Sequence, residues 1–429
     1  MNLQKELAGL QDQSILAVNP PIHDFAFFDL WSKPIGLLYL LQQLREQGNR
    51  VELIDCIAEA HGEERSYGRF KIHRAEIEKP DAYQGIPRKY YHFGISKEAF
   101  ETRLKRVPKP DLILLTSGMT YWYPGVTWAI RHIRKIFPNT PLYLGGTYAQ
   151  LCAKHASKIG ADAVQTEPYP ILASHPALDL YPSLRYGVFL TSHGCPLACD
   201  YCASKILNPT FKRRSFAEME HDFAFQKGLG ITDMSFYDDA LLIDKENHFY
   251  PLCEHLFSGS GLRFHTPNGL HVREIDARCA AVLKQTGFKT IRLSLEGIDL
   301  QMMKAGSGKV KREEYAQAVS YLKEVGYEQK DLETYILIGV PGQSPEAIRN
   351  SIAFVHSLGA IPKLAEFSPI PGTPLFEAAA EQIPELREEP LLQNNSVYCS
   401  YVSGLFSSDT LQQLKNESRN PHLSGIITP

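Results

Sequence analysis

The sequence predicts an α/β protein with a doubly wound parallel sheet in its N-terminal half, followed by an open barrel of six βα units. The first observation behind this prediction is that short apolar runs alternate with helix-like segments along the 429 residues. The second is that the predicted strands of the later half end in polar or glycine residues, where a barrel carries its site. The third is a cysteine-rich loop after the first strand of that half, with Cys195, Cys199 and Cys202.

Five apolar runs predict the strands of the first sheet. They cover residues 15–19, 51–55, 111–116, 141–144 and 163–165. Helices are expected at 126–136 and 150–158, and another helix has Pro34 in its first turn and is closed by Gly48. Because strands and helices alternate, the sheet should be parallel, with ligands beyond the carboxyl ends of its strands.

Residues 57–109 interrupt this pattern between the second and third strands. The stretch is too long for a plain connection, so it is predicted to be an insertion. It carries aromatic and basic residues at 88–93 and a helix-like segment at 97–106. Two interpretations stay open, a cover over the active site or a solvated excursion on the domain surface. The predicted domains are 1–180 for the first sheet, 181–376 for the barrel and 377–429 for a C-terminal cap.

The three clustered cysteines favour a metal site. Three residues separate Cys195 from Cys199 and two separate Cys199 from Cys202, so one loop can wrap an iron–sulfur cubane and ligate three of its irons. The fourth iron is then open to a substrate or cofactor. A structural zinc site is the alternative, but zinc usually takes four ligands in paired Cys-x2-Cys groups, and His193 would be an unusual fourth ligand. An odd trio is not a disulfide framework.

This Cys-x3-Cys-x2-Cys spacing, with Tyr201 just before the last cysteine, resembles the signature of the radical S-adenosylmethionine (SAM) enzymes. The resemblance implies a partial (β/α)6 TIM-type barrel in which Cys195, Cys199 and Cys202 hold one [4Fe-4S] cluster. SAM chelates the open iron in that family, and the reduced cluster cleaves it to a 5′-deoxyadenosyl radical. The resemblance also implies that Tyr201 shields the cluster beside the adenine and that a flavodoxin- or ferredoxin-type protein supplies electrons.

The resemblance also assigns SAM contacts to the strand ends of the barrel. Those contacts are Tyr201, Asp238, Asp239, Asn268, Ser294, Glu296, Ile338, Gly339, Ile370 and Pro371. Asp238 and Asp239 stand where a Gly-Gly-Glu-type segment meets the SAM amino group, and the missing glycines favour backbone contact over a carboxylate role alone. Asn268, Ser294 and Glu296 are expected to address the ribose and carboxylate of SAM. The segments with Ile338, Gly339, Ile370 and Pro371 resemble those that hold adenine. Structural alternatives stay open, such as a turn role for Gly339. No catalytic residue is assigned.

The first half is similar to the cobalamin-binding-type domain, a Rossmann- or flavodoxin-like sheet, that precedes the barrel in one branch of radical SAM enzymes. The similarity rests on the segments at 18–21 and 33–37 and on Gly145 and Gly146 after the fourth strand. Many members bind cobalamin through a histidine in an Asp-x-His-x-x-Gly loop, which this sequence lacks. His23 follows the first strand without that context. The sequence therefore leaves cobalamin binding undecided.

Composition and net charge limit the classes of partner that the chain is expected to bind. The chain is 44% hydrophobic and 22% charged with a formal net charge of −3, which gives no reason to expect a nucleic acid. No apolar run is long enough for a membrane span, and residues 1–14 have no signal-peptide core, so a cytoplasmic location is expected. The expected substrate is a small molecule or biosynthetic intermediate.

The predicted function is that of a radical SAM enzyme acting on an unidentified substrate. With cobalamin, C-methylation is the leading reaction. Without it, hydrogen abstraction followed by rearrangement or C–H functionalisation is expected. A non-catalytic iron–sulfur electron carrier or sensor is the alternative from another class. The ordered strand-end residues argue against a carrier, because a carrier needs no adenosine pocket.

Overall fold

The computed structural model describes residues 3–170, 173–306 and 310–424 and divides the chain into two compact units. Unit 1 comprises Met1–Arg185, Ala224–Gly230 and Glu385–Asn394. Unit 2 comprises Tyr186–Phe223, Ile231–Pro384 and Asn395–Pro429. The boundaries predicted at residues 180 and 376 stay predictions, because compactness alone does not define a domain that folds independently.

Unit 1 is built on a parallel sheet. The strands of this unit are β1 Ser14–Asn19, β2 Ile22–Asp24, β3 Arg50–Asp55, β4 His61–Glu64, β5 Phe70–Ile72, β6 Arg74–Ile77, β7 Tyr90–Phe93, β8 Leu112–Leu115, β9 Leu142–Leu144 and β10 Ala163–Val164. Five of them pair in the order β10-β9-β8-β1-β3, all parallel. This order is that of flavodoxin-like sheets, whose topological switch point lies between β1 and β8. The predicted doubly wound sheet is confirmed.

The helices follow the expected alternation. They are α1 Leu3–Ala8, α2 Ile35–Glu46, α3 Lys97–Arg106, α4 Tyr123–Ile136, α5 Thr147–Leu151, α6 Ala153–Ala156, α7 Ser204–Leu207, α8 Phe216–Gly228, α9 Phe249–Leu252, α10 Ala277–Thr286, α11 Leu300–Ala305, α12 Arg312–Glu324, α13 Pro345–Ser357, α14 Pro374–Gln382, α15 Asn395–Val397 and α16 Ser408–Arg419. None of the helices in the described residues has the length and apolar character that crossing a membrane requires.

Alternate residues of β1 pack into different apolar clusters. Leu16 and Val18 lie in one cluster with side chains of α3 and α4. Ile15 and Ala17 lie in a second cluster with Leu37, Leu41 and Leu44 of α2. Because successive side chains of a strand point to opposite faces, the sheet is covered on both sides, as a parallel sheet requires.

The insertion at 57–109 forms antiparallel structure and one helix. Strands β6 and β7 pair with each other, β7 pairs with β2, and β4 pairs with β5. Its aromatic side chains are largely buried, as Tyr83, Tyr90, Phe93 and Phe100 show. The insertion therefore contributes to the core of unit 1 instead of remaining solvated.

A short C-terminal segment, residues 385–394, also belongs to unit 1, and we call it the strap. The Asn394 amide donates to Asp24 at 3.0 Å, and the Tyr83 hydroxyl donates to the Leu391 carbonyl at 2.8 Å. Trp122, from the connection that follows β8, donates to the other oxygen of Asp24 at 2.7 Å. The strap is thus bound to connections that leave the carboxyl ends of β1 and β8.

Unit 2 is built on a second parallel sheet. Its strands are β11 Tyr186–Phe189, β12 Ser192–His193, β13 Lys212–Arg213, β14 Asp233–Phe236, β15 Arg263–His265, β16 Leu270–His271, β17 Phe288–Glu296, β18 Leu332–Ile338 and β19 Ile361–Glu366. Six pair in chain order, β11-β14-β15-β17-β18-β19, and β16 adds a short parallel pairing to β17. Parallel neighbours in strict chain order are the pattern of a βα barrel. The predicted partial (β/α)6 barrel is confirmed.

Candidate iron–sulfur and SAM site

The cysteine loop follows the first strand of the barrel. Cys195, Cys199 and Cys202 form no disulfide, and the first two residues are half-buried while the third is exposed. In the described residues, no group of three or more His, Cys, Asp or Glu side chains is arranged to hold one metal ion. Three thiolates in one loop are the donor set that a cubane takes when it is ligated through three of its irons.

The base of the loop is closed by a two-stranded ladder. Ser192 and His193 of β12 pair antiparallel with Arg213 and Lys212 of β13. Gly194 follows with a φ of 75°, and a Cβ there would lie 3.0 Å from the Asn208 carbonyl. Glycine suits the start of the loop for two reasons. Other residues are strained in left-handed backbone, and their Cβ would crowd the Asn208 carbonyl of the returning chain.

Tyr201 lies among the thiols and Glu296. Burial raises the pKa of its phenol well above the ordinary value, and the charges of Glu296 and Cys199 raise it further. The phenol therefore stays neutral. Although Cys202 is exposed as a residue, its sulfur is surrounded by protein, and this loss of solvation raises the pKa of the thiol to about 11, with Asp239 and the other two thiols contributing. These couplings place Tyr201, Glu296 and the three cysteines in one neighbourhood.

Asp238 is buried two residues after β14 and is bonded to the end of β11. Its carboxylate accepts four hydrogen bonds, which come from the Thr191 amide to both oxygens, from the Thr191 hydroxyl and from the Ser192 hydroxyl. Burial raises the pKa of Asp238, and the bonds from Thr191 and Ser192 oppose that effect. His248 lies 2.9 Å from the Thr191 hydroxyl oxygen.

Asp239 and Asn268 both make hydrogen bonds close to the end of β14. The Ser204 hydroxyl, two residues beyond Cys202, donates to Asp239 at 2.6 Å. The Asn268 amide donates to the Tyr237 carbonyl at 2.9 Å. The structure therefore joins the Asp239 carboxylate to the cysteine loop, while Asn268 fixes the backbone that was expected to contact the SAM amino group.

Ser294 and Glu296 occupy the end of β17, where the pairing with β18 is irregular. A Cβ on Gly269 would lie 2.6 Å from the Ser294 hydroxyl oxygen, so the loop after β15 passes close to this strand end. Glu296 has a φ of 67°. Left-handed backbone costs a non-glycine residue energy and is often found at functional sites. A structural alternative for Glu296 was an ion pair with Arg292 inside the barrel, but Arg292 pairs with Glu333, at 2.9 Å.

The four residues expected near adenine lie at the last two strand ends. Ile338 is fully buried, and Gly339 has a φ of 86°. A Cβ on Gly339 would lie 2.6 Å from the Cys399 Cβ. Ile370 accepts hydrogen bonds from the backbone and hydroxyl of Thr373, in a turn that includes Pro371. Adenine contacts for Ile338, Gly339, Ile370 and Pro371 stay predictions, and packing alone explains the glycine.

Two contributors to this site were not singled out from the sequence. Thr191 is the residue on which Asp238 and His248 converge. It immediately precedes β12 and the cysteine loop, which was a usable signal. His248 lies in the connection before α9, and nothing in its local sequence indicates a partner 57 positions away.

His23, the histidine after the first strand, contacts His92 through Nε2. His92 Nε2 lies 2.8 Å from the Ile95 carbonyl, which can only accept, so that nitrogen is the donor and His92 Nδ1 accepts. His23 Nε2 lies 2.9 Å from His92 Nδ1 and must therefore donate to it. Burial, with His92 beside it, lowers the pKa of His23 to about 3. In this tautomer Nε2 of His23 is used by the bond to His92, and Nδ1 is the ring nitrogen that keeps a lone pair.

The glycine pair after β9 is explained by packing within unit 1. A Cβ on Gly146 would lie 2.3 Å from the Ser117 carbonyl oxygen, and its φ is 93°. The Ser117 hydroxyl donates to the Gly145 carbonyl at 2.6 Å. The connections that follow β8 and β9 are therefore in close contact, and these glycines give no independent sign of a ligand.

Comparison with known families identifies the barrel. Residues 189–355 match the family model described as Radical SAM superfamily. This range begins at the end of β11, contains the cysteine loop and extends into α13. The chain therefore carries a radical SAM domain, and that domain implies a [4Fe-4S] cluster and SAM as its cofactors.

Solved structures match the fold over most of the chain. The radical SAM methyltransferase TsrM from Kitasatospora setae, with cobalamin and a [4Fe-4S] cluster bound, has a TM-score of 0.62 and 17% identity, covering 87% of this chain and 78% of TsrM. The cobalamin-dependent radical SAM enzyme OxsB has a TM-score of 0.55 and 11% identity, covering 90% of this chain and 57% of OxsB. At these identities the likeness shows a shared fold.

One curated relative is similar in sequence. It is described as the uncharacterized methyltransferase PH0819 of Pyrococcus horikoshii and is 24% identical over 216 residues. The match covers 48% of this chain, and the chain spans just under half, 46%, of the relative's length.

Proposed function

We propose that the chain, whose residues 189–355 match the Radical SAM superfamily model, is a radical SAM enzyme that binds one [4Fe-4S] cluster through Cys195, Cys199 and Cys202 and cleaves SAM reductively. The observation that carries the proposal is the position of these three thiols, none of which is in a disulfide. They lie in one loop directly after the first strand of a parallel sheet whose strands pair in chain order. Parallel barrels carry their sites at the carboxyl ends of the strands.

When bound, the cluster and SAM would supply the difficult chemistry, a reductive cleavage of SAM that uses one electron from an external donor and makes hydrogen abstraction from the substrate possible. The residues of the chain hold and orient the groups. Tyr201 supplies an uncharged surface beside the thiols, because burial keeps its phenol protonated. Asn268 fixes the backbone beyond β14. Glu296 brings a carboxylate to the same neighbourhood. Its expected partners are the polar groups of SAM.

The substrate proposed is a small molecule, and a flavodoxin- or ferredoxin-type protein is the proposed electron donor. Two reaction classes follow. Hydrogen abstraction followed by C–H functionalisation needs only the groups proposed for the barrel. Cobalamin-dependent C-methylation is the second candidate, and the fold shared with TsrM over most of the chain favours it. The ratio of S-adenosylhomocysteine to 5′-deoxyadenosine among the products separates the two classes.

The test is anaerobic reconstitution of the full chain with iron and sulfide, followed by dithionite and SAM. We expect a reducible cluster signal in electron paramagnetic resonance and 5′-deoxyadenosine by mass spectrometry. Replacing Cys195, Cys199 and Cys202 together with alanine should abolish both, since a cluster needs its thiolates. Cys279→Ala is the matched control, because this thiol is fully buried in α10 and should leave both signals intact.

Two results would contradict the proposal. Wild-type protein that takes up zinc and ignores iron and sulfide would remove its basis. A normal cluster that never cleaves SAM would instead favour the electron carrier or sensor.

A further inference from the structure

We propose that Asp238 is a positioning residue that fixes the base of the cysteine loop, and that its carboxylate is not a ligand of the SAM amino group. The inference rests on the proposed function, because it concerns how the cluster-binding loop is held. Its basis is the set of hydrogen bonds at the end of β11, and each can be followed from Asp238 outward.

The Asp238 carboxylate is already occupied. Asp238 is 3% exposed, and each of its carboxylate oxygens lies 3.0 Å from the Thr191 amide nitrogen. The Thr191 and Ser192 hydroxyls donate to the same oxygen, Oδ1, at 2.6 and 2.7 Å. A buried carboxylate needs several donors, and these come from two consecutive residues of one segment. An ammonium group of a ligand would have to displace one of them.

Thr191 is held on every polar atom. Its hydroxyl hydrogen goes to Asp238, so the hydroxyl oxygen accepts from His248 Nε2 at 2.9 Å. Its carbonyl accepts from the Arg214 amide at 3.0 Å. Thr191 therefore joins three parts of the barrel, namely the end of β14, the connection before α9 and the chain that returns from the cysteine loop.

The chain that returns from the loop is anchored in the same place. Beyond the β12–β13 ladder, the Arg214 guanidinium donates to the Leu190 carbonyl at 2.9 Å and to Asp222 at 2.7 Å. Asp222 is fully buried in α8. The segment that carries the three cysteines is thus fixed at both ends. Thr191 holds its beginning through Asp238, and Arg214 holds its end by bonding the carbonyls of Leu190 and Thr191. A loop whose ends are fixed loses less entropy when it folds around a cluster.

This arrangement gives Asp238 a role that precedes SAM binding. A SAM ligand would leave the metal-free loop unchanged when mutated, whereas a positioning residue would loosen it before any cofactor is present. The two roles therefore predict opposite results for the loop in protein without iron. Thr191 provides a second way to break the same contact, because its hydroxyl can be removed without touching Asp238.

The experiment compares Asp238→Asn, Thr191→Val and Thr191→Ser with wild type in the full chain. Hydrogen exchange of the metal-free protein should be roughly tenfold faster in peptides covering 192–214 for D238N and T191V, since each loses buried hydrogen bonds. T191S keeps the hydroxyl and should match wild type. After reconstitution, D238N and T191V should bind less iron per chain and show an altered spectrum of the reduced cluster.

Asp233→Asn is the matched control for a purely structural effect. Asp233 begins the same strand and is also fully buried, but it bonds Arg263 and His265 at the opposite end. D233N should lower thermal stability and leave the exchange of the loop and the cluster spectrum as in wild type. If D238N and D233N behave alike, the positioning role is wrong.

A second result would overturn the inference in favour of direct binding. This is a D238N protein with wild-type loop exchange, wild-type iron content and spectrum, and weakened SAM affinity. The two proposals fail separately. Wild-type protein that binds no cluster would refute the proposed function, while the metal-free exchange experiment would still decide the role of Asp238.

Discussion

Gly339 shows how one residue can satisfy two explanations. Its place after β18 led us to expect a contact with adenine, and its backbone is left-handed at a φ of 86°. A Cβ there would lie 2.6 Å from the Cys399 Cβ, closer than such atoms approach. The Gly339 amide also donates to the Gln343 side chain at 2.9 Å. Packing alone therefore requires glycine, whatever the ligand.

Replacing Gly339 with alanine should lower the free energy of unfolding by about 2 kcal/mol or more, since the new Cβ adds left-handed strain and a clash. Urea unfolding of the full chain measures it. Gly36→Ala is the matched control, because a Cβ in that turn of α2 would meet no atom within 4 Å. It should be neutral or stabilise by about 0.5 kcal/mol. Equal losses in the two variants would contradict the packing argument.

At the scale of elements, the strap belongs to unit 1 although it follows the barrel strands in the sequence, so its place could not be predicted from its position along the chain. Residues 385–394 return to unit 1 after nearly the whole barrel has been completed. Tyr123 donates to Glu389 at 3.1 Å, which adds to the bonds that Asp24 and Tyr83 make with Asn394 and Leu391. The strap thus ties the C-terminal segment to the connections that leave the first sheet.

Asn394→Ala should loosen the strap without unfolding unit 1. Asn394 is fully buried, and its loss leaves the buried Asp24 carboxylate short of a donor, at a cost of about 1–3 kcal/mol. Hydrogen exchange in peptides covering 385–394 should rise by roughly tenfold, while peptides from β1 and β8 stay protected. Asn416→Ala on the exposed face of α16 is the control. Unchanged exchange in the strap would show that Asn394 does not hold it.

At the scale of the whole molecule, buried histidines make stability depend on pH. Burial lowers the pKa of His23 to about 3 and that of His248 to about 4, from an ordinary value near 6.5. At a pH between each lowered pKa and the ordinary pKa, the histidine is protonated in the unfolded chain but not in the folded one, so the unfolded chain binds more protons. The free energy of unfolding should therefore fall as the pH falls through this range, by about 1.4 kcal/mol per pH unit for each histidine.

The measurement is the urea midpoint of the full chain between about pH 7 and pH 5. His23→Gln should be less stable at neutral pH and show a shallower decline, because one titrating group is gone. His73→Gln is the control, since this side chain is exposed and should leave the slope unchanged. A midpoint that stays flat across this range would contradict the assignment.

Much of the architecture could be predicted because its signals are local. Periodic apolar runs gave both sheets, since a strand buried in a parallel sheet must be apolar along its length. All five predicted strands of unit 1 and all six of the barrel are present. The aromatic insertion was harder, because aromatic and charged residues together fit both a solvated loop and a packed one. Only its contacts show that Tyr90 and Phe93 are buried.

The three cysteines proposed as cluster ligands could be identified from the sequence alone, because a cubane loop needs three thiols within a few residues and the spacing along the chain shows this directly. The sequence also determined the order of the barrel strands, since a βα barrel follows chain order. The hydrogen-bond partners of the buried carboxylates could be identified only from the three-dimensional structure. Asp238 bonds Thr191 and Asp24 bonds Asn394 across 47 and 370 positions. Such partners are selected by three-dimensional proximity and by the cost of leaving a buried charge unsatisfied, and neither leaves a mark in local sequence.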